Sequence, residues 1–153
     1  FRRVLPIYVK RVANGEPPVV FGDGTQVRDF IHVDDVVSLH NECIFNKKAD
    51  GEIFNVSSGT PTSIKDLAEL TCNVSGINSR PIFERVEEGQ MSKIVVGKKR
   101  NLAELNMMWL DISKAKNLLN WSPKVGLSEG LKRTLNWYQE NPQRWEKIFS
   151  TMW

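Results

Sequence analysis

The sequence predicts an α/β fold in which short strands alternate with amphipathic helices. Apolar residues recur at intervals of three and four in several stretches, which is typical of helices that bury one face. Between these stretches lie short runs of β-branched and aromatic residues, which are typical of strands. The chain has 153 residues, 41% of them hydrophobic and 25% charged, an ordinary globular composition. About four short strands do not make a complete doubly wound sheet, so we expect a small mixed α/β lobe.

The first part of the chain predicts a helix followed by two extended segments. Residues 5–13 have helical periodicity, with a proline in the first turn and Asn-Gly after the last. Val19–Phe21 is predicted as a strand. A glycine-rich turn at 22–24 follows, and extended structure resumes over residues 26–31, either as a hairpin or as a strand–loop–strand bend.

A second helix is predicted after residue 33, with Asp34 or Asp35 as its N-cap. Its apolar-periodic positions are expected to form one face: Val36, Val37, His40, Cys43 and Ile44. A histidine on such a face is more often a satisfied core residue than a catalyst, so we expect His40 to be buried. Residues 52–56 are predicted as a strand and residues 57–61 as a tight loop.

The remaining elements are predicted from caps and apolar spacing. Ser63 with Asp66 resembles a capping box for a helix that Gly76 ends. Residues 81–86 are strand-like; residues 87–110 carry no clear pattern, although 94–96 and 107–110 have extended character. Asp111 is the expected cap of a helix to residue 119, and Ser128 that of the next. Four apolar residues predict a final helical face: Trp145, Ile148, Phe149 and Met152.

Composition and motif searches exclude several classes of function. Cys43 and Cys72 form no CxxC pattern, which favours a reduced, cytoplasmic chain without zinc. The formal net charge is only +3 and the basic run Lys98-Lys99-Arg100 is short, which disfavours nucleic acid as a partner. No apolar stretch of about 18 residues is present, so no membrane span is expected. The chain also lacks a P-loop, HExxH and GxSxG.

An arginine on a predicted strand is the most informative candidate site residue. Arg28 follows the aromatic Phe21 by seven residues, across the glycine-rich turn. In an extended segment Arg28 and Phe30 share a face while Asp29 points away from it. One interpretation is a guanidinium that binds a diphosphate, with Phe21 stacked on a base. The alternative is a surface pair between Arg28 and an acid in an edge hairpin, and the spacing alone does not separate the two.

Several motifs resemble, in family order, those of the extended short-chain dehydrogenase/reductases, the NAD-dependent sugar-nucleotide epimerases and dehydratases. Residues 20–37 read VFGDGTQVRDFIHVDDVV and resemble the family pattern (Y/F)GDGxQxRDFxxVDDV. Similar segments follow at 51–59 (GEIFNVSSG), 111–116 (DISKAK), 119–123 (LNWSP) and 127–131 (LSEGL). The resemblance concerns the C-terminal part of such a Rossmann-type enzyme. The GxxGxxG and YxxxK motifs of the N-terminal half are not in this sequence.

The resemblance implies a lobe that holds the nucleoside-diphosphate end of a sugar nucleotide. It implies that Arg28 binds the diphosphate, that Phe21 lies beside the nucleobase with Val19 as a wall residue, and that Thr60 lies near the nucleotide, chiefly through its backbone. A second family arginine falls near Arg100. We expect residues 1–141 to form this substrate-binding lobe and residues 142–153 a C-terminal amphipathic helix.

The partners expected from the resemblance are a UDP- or dTDP-sugar and an N-terminal Rossmann half. The chain begins at Phe1 without Met, which favours a truncated product. We therefore expect no catalytic residue and no cofactor in this chain, with NAD bound by the full-length parent. An apolar helix face left uncovered would favour self-association. A standalone binding or partner module without enzymatic activity, and less so a small nucleic-acid-binding domain, are the alternative functions.

Overall fold

The computed structural model describes residues 3–100 and 105–144. Helices and short strands alternate along the chain, which confirms the α/β class. In chain order the elements are α1 (Val4–Ala13), β1 (Val19–Phe21), β2 (Val27–Asp29), α2 (Val33–Phe45), a 3₁₀ turn (Lys47–Ala49), β3 (Pro61–Ser63), α3 (Ile64–Ser75), β4 (Ile82–Glu84), α4 (Ser113–Leu119) and α5 (Leu127–Glu140).

The strands form two separate two-stranded sheets. Strand β1 pairs in parallel with β4, with Val19 opposite Ile82 and Phe21 opposite Glu84. Strand β2 pairs with β3. The hairpin between β1 and β2 that the sequence allowed is therefore wrong, and the strand–loop–strand alternative is correct. Two parallel strands need a crossover connection, and helices supply it here.

The chain divides into two compact units. The first unit contains the described parts of residues 1–26, 63–106 and 131–153, and the second contains residues 27–62 and 107–130. Of the predicted final helix, residues 142–144 are described and helical, and its apolar residues from Trp145 to Met152 lie outside the described residues. The predicted boundary between residues 141 and 142 therefore remains a prediction.

The core of the first unit is built by α1, α3 and β1. Helix α1 packs on α3, and α3 packs on β1. The Ser63 hydroxyl accepts a hydrogen bond from the Asp66 amide at 3.0 Å, and α3 ends at Gly76 with φ of 71°, so the predicted cap and stop are confirmed. The buried hydrophobic side chains of this unit, with Thr71 beside them, are Tyr8, Val9, Val12, Val19, Val20, Leu67, Ala68, Cys72, Val86, Leu131 and Leu135.

The core of the second unit is a cluster of apolar residues around Trp121. The Trp121 indole Nε1 donates a hydrogen bond to Ser38 Oγ at 2.7 Å, so the ring is buried with its polar atom satisfied. The buried members of the cluster are Leu39, Ala49, Ile112, Ala115, Leu119 and Trp121, and Ile31, Cys43, Phe54, Val56 and Leu118 pack against them.

Helix α2 begins differently from the prediction. His32 is the N-cap, and its Nδ1 accepts a hydrogen bond from the Asp34 amide at 3.2 Å. Asp35 instead is buried and accepts hydrogen bonds from the backbone amides of Lys124 at 2.8 Å and Val125 at 3.0 Å. The carboxylate that was predicted to cap the helix thus holds a loop far away in the sequence.

The face that α2 buries also differs from the prediction. The buried residues are Asp35 and Leu39, whereas Val37 and Ile44 are exposed. His40 is exposed as well, and its Nδ1 lies 2.7 Å from the Val36 carbonyl, so the expectation of a buried His40 is wrong. Apolar spacing identified a helix but not the side of it that the rest of the unit covers, because apolar residues lie on both sides.

Two predicted strands are absent from the described residues. Residues 52–56 alternate, with Phe54 and Val56 turned toward the core, but they join no sheet. Residues 94–96 lie in a turn closed by the Lys98 amide and the Val95 carbonyl. In the segment 107–110, Met107 forms an isolated parallel bridge with Val27, and residues 108–110 belong to no strand. Periodicity predicts an extended backbone, but a strand also needs a partner within reach.

Two predicted caps lie at other positions than expected. Asp111 Oδ1 accepts hydrogen bonds from the amide and the hydroxyl of Ser113, although the N-cap position of α4 is Ile112. Helix α5 begins at Leu127, so Ser128 lies inside its first turn. Leu131 and Leu135, four residues apart on one face of α5, are buried. Within residues 3–100 and 105–144, no helix combines the length and the apolar character that crossing a membrane requires.

We predict that Asp35→Asn lowers the free energy of unfolding by about 1–3 kcal/mol, the cost of leaving a buried backbone donor unpaired. An asparagine offers one acceptor oxygen, so one of the two amides that Asp35 binds would face an NH₂ group. The adjacent Asp34→Asn is the control, because its side chain is 62% exposed. We expect that substitution to cost less than about 1 kcal/mol. Urea denaturation of the three proteins measures both; equal losses would contradict the assignment.

Candidate functional site

The turn that follows β1 requires glycine at a defined position. Gly24 has φ of +74°, and its carbonyl accepts a hydrogen bond from the Lys65 amide at 3.0 Å. A Cβ at Gly24 would lie 2.8 Å from Val20 Cγ1 and 3.0 Å from the Lys65 backbone nitrogen. No larger residue fits, so the turn is held tightly against the start of α3. Strand β1, which carries Val19 and Phe21, therefore ends in a rigid turn.

Asp23 closes this turn with its side chain. Its Oδ1 accepts hydrogen bonds from the Thr25 amide at 3.0 Å and the Thr25 hydroxyl at 2.8 Å. These bonds favour the ionised form and hold the pKa of Asp23 below its ordinary value, with a smaller contribution from the nearby Arg100 guanidinium. Asp23 is exposed, so the turn carries a negative charge at the surface of the protein.

Arg100 lies against the same turn. Its Nη1 donates a hydrogen bond to the Val86 carbonyl at 2.7 Å and lies 3.2 Å from the position that a Cβ on Gly22 would occupy. The Gly89 amide donates a hydrogen bond to the Arg100 carbonyl, and the Arg100 amide donates one to the Gln90 carbonyl, each at 2.9 Å. The structure therefore brings Arg100 next to Gly22, the residue that follows Phe21.

A buried carboxylate that the sequence did not single out holds this loop. Glu84 is 9% exposed, and it accepts hydrogen bonds from the Ser92 hydroxyl and from the Lys93 amide. Strand β4 carries its apolar residues, Ile82 and Phe83, on the more exposed positions. The hydropathy of β4 therefore does not predict that Glu84 is the buried residue. Only the hydrogen bonds from Ser92 and Lys93 identify Glu84 as the residue that holds the loop.

Arg28 lies on β2 in the second unit and is half-buried. Its Nη1 donates a hydrogen bond to the carbonyl of Val27 at 2.7 Å. Among residues 3–100 and 105–144, no carboxylate lies within ion-pair distance of the Arg28 guanidinium. The alternative of an arginine–acid pair in an edge hairpin is therefore not observed in this part of the chain. Most of the five guanidinium donors remain available to a ligand.

The neighbouring Asp29 binds the loop that contains Thr60. Asp29 Oδ1 accepts hydrogen bonds from the Ser58 amide at 2.8 Å and the Ser58 hydroxyl at 2.6 Å, and Oδ2 accepts one from the Gly59 amide at 3.1 Å. The Ser58 hydroxyl oxygen in turn accepts from the Thr60 amide at 3.0 Å. The Thr60 carbonyl lies 3.3 Å from the same hydroxyl oxygen. The Thr60 backbone is thus already engaged, which leaves its hydroxyl for a ligand.

The predicted site residues fall into the two units. Val19, Phe21 and Arg100 belong to the first, and Arg28 and Thr60 belong to the second. Within the described residues, no group of three or more His, Cys, Asp or Glu side chains has the arrangement of a metal site. In the first unit, Phe21 and Arg100 offer an aromatic ring and a guanidinium; in the second, Arg28 and Thr60 offer a guanidinium and a hydroxyl. An aromatic ring suits a base, and a guanidinium suits phosphate oxygens.

Comparisons with known proteins give the chain a family. A putative UDP-glucose 4-epimerase of Methanocaldococcus jannaschii is 33% identical over 138 residues, which are 90% of this chain and 39% of that protein. The crystal structure of UDP-glucose 4-epimerase from Thermotoga maritima with UDP-glucose is 30% identical, with a TM-score of 0.71 over 91% of this chain. UDP-glucuronic acid 4-epimerase from Bacillus cereus, in complex with UDP-glucuronic acid and NAD, is 29% identical with the same TM-score.

The shared fold identifies the class as that of the sugar-nucleotide epimerases and dehydratases, as the sequence resemblance predicted. More specifically, residues 1–134 match the GDP-mannose 4,6 dehydratase model, and the chain belongs to that family. The chain spans about two fifths of the length of these relatives, 39% of the Methanocaldococcus protein and 40% of each crystallised epimerase.

We predict that Thr25→Val raises the pKa of Asp23 toward its ordinary value of 3.8, because it removes the hydroxyl that donates to the carboxylate. A lowered pKa in the folded state stabilises the protein above the unfolded-state pKa, and this stabilisation is lost as pH falls through the folded-state pKa. The variant should therefore lose less stability on acidification. Carbon-13 NMR titration measures the pKa, with Asp111, which Ser113 binds, as the control. An unchanged Asp23 titration would contradict the assignment.

Proposed function

We propose that this chain binds the nucleoside-diphosphate end of a sugar nucleotide, a UDP- or dTDP-sugar, for an epimerase or dehydratase. The observation that carries the proposal is Arg28, a half-buried guanidinium without an acidic partner among the described residues. A guanidinium presents paired donors that match two phosphate oxygens, and charge-assisted hydrogen bonds of this kind are strong. The names of the relatives, which act on or are bound to UDP-sugars, support the same ligand class.

The other site residues have separate roles in this proposal. Phe21 supplies a flat apolar surface for the base, and Val19, at the start of the same strand, forms part of the wall beside it. Arg100 contributes positive charge next to Gly22, where its guanidinium is already held by the Val86 carbonyl. Thr60 contributes its hydroxyl, because its amide and its carbonyl both contact the Ser58 hydroxyl.

The residues described here do not fit NAD. A dinucleotide pyrophosphate binds where a glycine-rich turn leads directly into a helix N-terminus. The turn at Gly22–Gly24 leads instead into strand β2, and the GxxGxxG and YxxxK motifs are not in the sequence. We propose that the NAD, and the groups that move the hydride and the proton, belong to a separate Rossmann portion that works with this chain in the full-length parent. Epimerisation and dehydration are equally compatible with the residues present.

Two features support this proposal: the cysteines favour the cytoplasm over a secreted location, and an exposed apolar face favours a Rossmann portion that covers it. Cys43 and Cys72 are both unpaired, as expected in a reducing compartment. Helix α2 leaves large apolar side chains exposed, among them Val33, Val37, Ile44 and Phe45. A surface of this type is typical of a face that another polypeptide covers. A standalone binding module without a catalytic partner is the alternative, and it would not need this face.

We predict that Arg28→Ala weakens the binding of UDP by about 1.5–3 kcal/mol, the range for hydrogen bonds to a charged group. Arg28→Lys should recover only part of the loss, because a point charge does not replace a planar pair of donors. Isothermal calorimetry with UDP measures all three proteins. Arg85→Ala removes the same charge from a side chain that is 95% exposed and is the matched control. UDP binding by Arg28→Ala at the strength of the unmodified chain would refute the proposal.

We also predict that the chain self-associates at high concentration when no partner covers α2. Light scattering should give an average mass above that of the monomer, and Ile44→Lys should return it to the monomer because a charge is costly to bury in an apolar contact. Asn41→Lys adds the same charge at another exposed position of the helix and is the control. A monomer at every concentration would contradict this prediction.

A further inference from the structure

Strand β2 is too short to determine the direction of its own side chains. It has three residues, Val27–Asp29. Successive side chains of a strand point to opposite faces, so a shift of one residue turns each of them to the other face. A three-residue strand makes few ladder hydrogen bonds, and both its neighbours in the chain are loops. The direction of Arg28 must therefore be held by something other than the strand.

The Asp29 carboxylate makes the contacts that fix this direction. Its two oxygens accept hydrogen bonds from the Ser58 amide at 2.8 Å, the Ser58 hydroxyl at 2.6 Å and the Gly59 amide at 3.1 Å. These partners lie 29 and 30 residues further along the chain, so the contacts are tertiary. With Asp29 bound to this loop on one face, Arg28 is directed to the opposite face.

The same contacts keep the arginine available. A carboxylate next to Arg28 in sequence would neutralise the guanidinium if it turned toward it. The oxygens of Asp29 are instead occupied by two backbone amides and a hydroxyl, and no carboxylate pairs with Arg28 within the described ranges. One side chain therefore both orients the arginine and leaves its charge for a ligand.

We propose that Asp29 is a positioning residue for diphosphate binding: by holding the Ser58–Gly59 backbone on one face of β2, it presents an unneutralised Arg28 on the other. The inference rests on the proposed function, since it needs Arg28 to bind the diphosphate. Asp29 itself does not touch the ligand.

A double-mutant cycle tests the proposal on the full 153-residue chain with UDP as the ligand. We expect Asp29→Ala to raise the Kd for UDP about tenfold, as the loss of an oriented charge-assisted bond would. Asp29→Asn keeps one acceptor oxygen for Ser58 and should retain part of the affinity. In an Arg28→Ala background, Asp29→Ala should change the Kd no further, because the two residues act through the same contact.

A control separates positioning from mere stability. Asp35 also holds two backbone amides of a loop in the same unit, so Asp35→Asn lowers stability in a comparable way. At a temperature where circular dichroism shows every variant folded, Asp35→Asn should bind UDP like the unmodified chain. If Asp35→Asn and Asp29→Asn weaken UDP binding equally, Asp29 is only structural and the inference fails.

The remaining outcomes distinguish the inference from the proposed function. If Arg28→Ala weakens UDP binding while both Asp29 variants bind normally, the inference alone is overturned. An Asp29→Ala effect that adds to that of Arg28→Ala in the double variant overturns it too. If Arg28→Ala leaves the Kd unchanged, or the unmodified chain does not bind UDP, the proposed function fails and the inference fails with it.

Discussion

Hydrogen bonds from backbone amides to carboxylates fix the positions of the loops in this chain, because its strands are too short to do so. Each of the four strands has three residues. A backbone amide buried without a partner costs about as much as a lost hydrogen bond, so loops near the core need acceptors from elsewhere. Carboxylates are suited to this because each oxygen accepts more than one hydrogen bond. Five carboxylates of the described residues accept hydrogen bonds from backbone amides: Asp23, Asp29, Asp35, Glu84 and Asp111.

The same interaction determines the electrostatics of the candidate site. A carboxylate that binds amides is not available to neutralise a neighbouring cation. Arg28 follows this pattern, since the adjacent Asp29 is committed to the Ser58–Gly59 loop. No carboxylate of the described residues pairs with Arg28, so its charge is available to a diphosphate.

Local signals in the sequence were sufficient where a residue acts on its own neighbours. The Ser63 cap and the Gly76 stop depend on contacts within a few residues. The cap of α2 was missed because His32 serves there and Asp35 does not. The two aspartates look equivalent in sequence, and only one of them faces a loop that needs an acceptor.

The alternation of amphipathic helices with short strands predicted the α/β class, and the strand position of Arg28 together with the family motifs pointed to the arginine that we propose binds the diphosphate. The tertiary structure decided which carboxylates accept hydrogen bonds from distant amides, which side of α2 is covered and whether Arg28 has an acidic partner. These depend on contacts between residues tens of positions apart, such as Asp29 with Ser58 and Asp35 with Lys124. Periodicity and capping patterns reach only a few residues along the chain. Distant partners become visible only when the fold brings them to hydrogen-bond distance.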